Sequence, residues 1–166
     1  MEAPTYFGEE RLRKYFIEHS NRVCCVKSHL IERLPELAEF ANFADIKYVI
    51  VETMEKVEKQ LGRMDKMLDF LDAQLLPHCC DGMVNLLEDA FTAVHDQDDD
   101  IALRDMVILF YMQNIESIEM ASFQILKMVA VKFKNSEINR LLFINFEEAK
   151  EDCALLLLII AKYFAN

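Results

Sequence analysis

Apolar residues recur along this chain at alternating three- and four-residue steps, the spacing that keeps one stripe of an α-helix buried. The longest series lies in residues 44–75, where Ile50, Met54, Val57, Leu61, Met64, Leu68, Leu71 and Leu75 make an unbroken heptad seam. A first helix is predicted over residues 9–33, with Phe16, Val23, Leu30 and Leu34 on one face. Pro35 then opens a short piece reaching Phe40, because proline suits a first helical turn. A break at 77–82 precedes a short amphipathic helix over 83–95. The acidic run at 96–100 reads as a solvated connection whose last aspartates can cap the next helix. That helix, 101–134, carries Leu109, Met112, Glu116, Glu119, Phe123, Leu126, Ala130 and Phe133 on its inner face. Asn135 and Ser136 end it and cap the last helix, 136–164, whose face reads Leu142, Phe146, Ala149, Cys153, Leu156, Ile160 and Tyr163. The pattern predicts an all-α four-helix bundle with a short additional helix between the second and third long helices, in one domain over residues 1–166.

Composition narrows the classes. Three glycines and three prolines leave few breakers, and the 53% hydrophobic content suits packed helices. The longest apolar run, Cys153 to Ala161, is nine residues and too short for a bilayer. The first residues lack the basic start and apolar core of a secretion signal, so a soluble cytoplasmic protein without membrane association is expected. A net charge of −11 argues against nucleic acid, whose phosphates need a basic surface. The five cysteines fall as Cys24-Cys25, Cys79-Cys80 and Cys153, without zinc spacing, and are read as reduced thiols, mostly core filler. His78-Cys79-Cys80 reads as plain loop rather than a soft-metal site.

Bundles with redox metal centres place Glu on two helices and Glu-x-x-His on the other two. Three residues before His19, His29, His78 and His95 stand Phe16, Val26, Leu75 and Thr92, so that motif is absent. Glu116-x-x-Glu119 nevertheless lies in an apolar seam, where each carboxylate needs a cation, a proton or a donor. Metal ligation is one reading and an internal ion pair the other. Lys27, on the inner face between Val23 and Leu30, favours the ion pair. No nucleophile elbow or phosphate loop is present, and catalytic residues are not expected.

Five segments, in order, carry a resemblance: His29-Leu-Ile-Glu-Arg-Leu-Pro-Glu-Leu-Ala38, Glu52-Thr-Met-Glu-Lys-Val-Glu-Lys-Gln-Leu-Gly-Arg-Met64, Cys80-Asp-Gly-Met83, Gln113-Asn-Ile-Glu-Ser-Ile-Glu-Met-Ala121 and Phe146-Glu-Glu-Ala-Lys150. With them the chain resembles the YciF/YciE-like branch of the ferritin-like superfamily, also known as a domain of unknown function, over about residues 24–164. The resemblance implies a ferritin-like four-helix bundle, a homodimer, and a di-iron site of carboxylates and histidine. Carried over by position, the helix-one glutamate becomes Lys27, and the helix-two His-x-x-Glu becomes Thr53 and Lys56. Glu116, Glu119 and Glu148 are kept, while the following helix-four positions become Ala149 and Cys153.

The expectation is therefore a ferritin-like protein with a degenerate di-metal site. Lys27 and Lys56 would face Glu116, Glu119 and Glu148, no cofactor would be held, and the role would be structural or stress-related binding. Two readings stand beside it. One is a ferroxidase-like or storage protein holding two Fe or Mn ions on Glu116, Glu119, Glu148 and Glu52 or Glu55. The other is a helical interaction module using an exposed patch of Val84, Leu87 and Phe91.

Overall fold

The computed structural model describes residues 7–76, 81–97 and 99–165. Five α-helices follow one another: α1 (Glu9–Phe40), α2 (Ala44–Asp69), α3 (Asp81–His95), α4 (Ile101–Ala130) and α5 (Ser136–Phe164), with a 3-10 turn, Val131–Phe133, after α4. The short connections after α1 and α4 make two antiparallel hairpins. Cross-helix partners such as Lys27 with Glu119 and Lys56 with Asp152 fix the rest: α1 runs antiparallel to α4, and α2 to α5. Around the bundle the order is α1, α2, α5, α4, so α2 and α4 point the same way and one crossover, carrying α3, joins the hairpins. One such crossover is the ferritin-like topology. No described helix is long and apolar enough to cross a membrane.

The helix ends follow local chemistry. Asp100 accepts from the Leu103 amide at 3.0 Å and starts α4. Asn135 accepts from the Glu137 and Ile138 amides at 3.0 and 3.1 Å and starts α5. Two boundaries differ from the sequence reading. Pro35 does not open a separate piece but lies inside α1, which continues to Phe40. Proline there forfeits its own backbone donor and crowds the Ile31 carbonyl, and burial of Leu34 and Leu37 carries the helix through. The second helix stops at Asp69 rather than Leu75, because Asp72 takes a left-handed φ of 48°. The Ala73 and Asp72 amides then bond back to the Leu68 and Asp69 carbonyls, both at 3.0 Å, closing a Schellman motif without glycine.

Two apolar clusters fill the interior. One lies toward the α1–α2 connection and includes Leu30, Leu34, Ile46, Ile50, Ile108, Leu109 and Leu156. The other lies toward the far end and includes Phe16, Met64, Met67, Phe123, Leu126, Ile138 and Leu142. The expected patch on the short helix is not exposed: Leu87 and Phe91 are buried and Val84 half-buried, because α3 lays this face on α1 and α4. Of the cysteines, Cys24 and Cys153 are free, whereas Cys25 is disulfide-bonded, which corrects the expectation of reduced thiols throughout. His78, Cys79 and Cys80 lie outside the described residues.

Candidate functional site

Between the two apolar clusters lies a layer of polar and charged side chains contributed by all four long helices. Lys27 projects from α1 with no solvent exposure. Its Nζ donates to Gln60 Oε1 of α2 at 2.5 Å and pairs with Glu119 Oε2 of α4. Gln60 passes the network on, donating through Nε2 to Glu148 Oε2 of α5 at 3.0 Å. Glu148 is also paired with Arg63, whose Nε donates to Asn145 Oδ1. A second branch joins Lys56 of α2 to Asp152 of α5 and, at 3.3 Å, to Glu52 one turn earlier. Three side-chain cations thus stand among the carboxylates.

Burial sets the protonation. The Glu116 carboxyl is pushed well above its ordinary range by burial first and by the neighbouring Glu119 charge second, while Lys27 works the other way. Burial likewise raises Asp152 against the pull of Lys56. For Lys56, burial disfavours the charge, but Asp152 and Glu52 outweigh it and the ammonium is held above its usual range. Burial raises the Cys24 thiol to about 12 and lifts Cys153 as well, so neither is a ready thiolate. Glu119 Oε1, Thr53 Oγ1 and Asn145 Nδ2 have no hydrogen-bond partner among the described residues.

Glu116 makes stability depend on pH in a definite direction. Below the ordinary carboxyl range folded and unfolded chains both hold this proton, and it contributes nothing. Above that range only the fold holds it, so the unfolded state binds fewer protons and stability falls with rising pH. The slope reaches at most about 1.4 kcal/mol per pH unit until the buried group ionises. Glu116→Gln is expected to flatten the slope above about pH 5, read from urea melts. Parallel pH profiles for the two proteins would refute the assignment.

A family model described as Domain of unknown function (DUF892) matches residues 11–163. The chain belongs to that family. Among solved structures, the E. coli stress protein YciF superposes with a TM-score of 0.86 at 20% identity, covering 93% of this chain and 98% of that one. YcfI from Rhodopseudomonas palustris, a proposed structural protein, superposes with a TM-score of 0.79 at 22% identity, covering 94% and 97%. No curated protein matches.

In this DUF892 chain the structure brings together most of the residues singled out from the sequence, with changed partners. Lys27 meets Glu119 directly. Lys56 serves Asp152 and Glu52 rather than Glu116, and Glu148 is taken by Arg63. Thr53, Ala149 and Cys153 are buried in or beside the layer, with Cys153 Sγ 3.9 Å from Ser117 Oγ. Glu55, a candidate ligand in the metal reading, is exposed and contributes nothing to the layer. No described histidine enters it: His29 pairs with Glu88, His95 with Glu36, and His19 packs on Tyr15. The sequence reading missed Gln60, Arg63, Asn145 and Asp152. Each sits one residue beside a drawn seam position (Gln60 beside Leu61, Arg63 beside Met64, Asn145 beside Phe146, Asp152 beside Cys153), and that adjacency was the available signal.

Proposed function

We propose that this chain is a YciF-type bundle protein in which side-chain cations have replaced a dinuclear metal centre, and that its role is structural rather than catalytic. The observation that carries this reading is the fully buried Lys27 ammonium, held between Glu119 and Gln60. The donor set does not fit two metal ions. Lys27, Lys56 and Arg63 already neutralise the carboxylate oxygens a dication would need. Glu116 favours its protonated form, and Thr53, Ala149 and Cys153 offer a hydroxyl, a methyl and a protonated thiol. Among the described residues no group of three or more His, Cys, Asp or Glu side chains is arranged to hold a metal ion.

The test is elemental analysis of iron, manganese and zinc in protein expressed with iron supplementation. The expected result is a folded protein with metal far below stoichiometry. About two ions per chain would overturn the reading and restore the ferroxidase or storage alternative.

A stress-related role accords with the description of YciF as a stress protein. The same reading includes a homodimer. Its support is an apolar surface on the outer side of α4 and α5, where Phe110, Leu157 and Leu158 are 60%, 55% and 70% exposed. Light scattering is expected to give twice the chain mass, falling to the single-chain value in Leu158→Glu. A single-chain mass for the unaltered protein would remove the dimer from the proposal.

A further inference from the structure

Away from the ionic layer, a groove runs along the outside of the bundle between α1 and α4. Two cavities, of about 460 and 160 Å³, meet across Tyr15 and Ile125, which line both. The floor is apolar and open: Phe7, Ile125 and Met128 are 58%, 48% and 70% exposed. From Arg11 to Arg22 the α1 wall rises about 17 Å at the helical 1.5 Å per residue. The rim has the opposite character from the rest of the protein. In a chain of net charge −11, the α1 edge of this groove presents Arg11, Lys14 and Arg22 against the single carboxylate of Glu18. Lys14 pairs only loosely with Glu18, at 3.8 Å between two exposed side chains, a contact of little energy. Arg11 and Arg22 have no ion-pair partner among the described residues.

A long apolar floor beside a net cationic edge selects for one kind of occupant. The volume is in the range of small-ligand sites. We propose that the α1–α4 groove binds one long-chain carboxylate, its hydrocarbon on Tyr15, Ile125 and Met128 and its carboxylate against Arg11 and Lys14. This inference stands apart from the metal-free reading of the interior, and either can fail alone.

The test is calorimetric titration of the full chain with dodecanoate below its micellar concentration. Saturable binding of one molecule per chain is expected. Binding should weaken at least about tenfold in Arg11→Glu/Lys14→Glu, which reverses the edge charge, and in Met128→Asp, which charges the floor. All three positions are exposed, so the variants are expected to fold, with circular dichroism melts as the check. Dodecyltrimethylammonium, of equal chain length and opposite charge, should bind at least about tenfold more weakly than dodecanoate. Unsaturable uptake, equal binding of the two head groups, or unchanged affinity in both variants would overturn the proposal. A solution mass that Met128→Asp reduces from dimer to monomer would overturn it as well, since a second copy would then cover the groove.

Discussion

Replacing Lys27 by methionine is expected to destabilise the protein by about 3–5 kcal/mol, because it strands the Glu119 carboxylate in the interior without its cation. Methionine keeps most of the volume, so the loss reports charge rather than a cavity. The neighbours decide the size of the effect. Glu119 Oε2 would lose its ammonium while Oε1 already has no partner among the described residues. The double variant Lys27→Met/Glu119→Leu removes both charges and is expected to recover to near the unaltered stability or beyond it, since the desolvation of a buried pair offsets most of its attraction. Urea unfolding of these two variants, Glu119→Leu alone and the parent forms the four-protein cycle. A single variant within about 1 kcal/mol of the parent would mean that water or another group already compensates Glu119, and the ion-pair account would be withdrawn.

The second large effect lies at the end of the bundle. Asp105, fully buried on α4, accepts from the Asn42 amide at 2.9 and 3.0 Å and from the Phe43 amide at 2.6 Å. Phe43 is the N-cap position of α2, yet its side chain cannot cap, so a carboxylate from α4 supplies the acceptor that the local sequence lacks. One side chain thereby satisfies the turn between α1 and α2 and pins it to α4. Asp105→Ala is expected to cost about 2–3 kcal/mol, the loss of charge-assisted bonds to amides at a helix start. Asp105→Asn, which keeps one acceptor oxygen, should lie between. Amide hydrogen exchange at Asn42 and Phe43 reads the same contact locally. Unchanged protection in the alanine variant would show that the amides find another acceptor.

The periodicity that makes the long helices legible also explains what escapes it. Each long helix packs on two neighbours in this square bundle, so its buried arc is wider than a two-position heptad seam. Gln60, Arg63 and Asp152 occupy the second edge of that arc and look like ordinary surface residues in one dimension. Lys27 and the glutamates of α4 stood out because they interrupt the centre of a seam, where an ion has no bland explanation. Asp105 had no such signal, lying before the first seam position drawn on that helix. The stop of α2 was equally silent. Heptad spacing continues through Leu71 and Leu75, and only a left-handed aspartate, without glycine or proline, turns the chain.

The ionic layer has a consequence for how the helices choose their alignment. Apolar stripes are tolerant of sliding, because leucine against isoleucine is nearly as good one heptad along. Here α1 and α4 run antiparallel, with Lys27 opposite Glu119 and Asn42 opposite Asp105. Moving α4 by seven residues would set Glu119 against Ser20 or Leu34 and carry Asp105 away from the amides it serves. Neither Ser20 nor Leu34 would offer Glu119 a cation. An all-apolar interior would gain free energy and lose this veto, so the layer acts as the index mark by which four helices of similar seams find a single alignment.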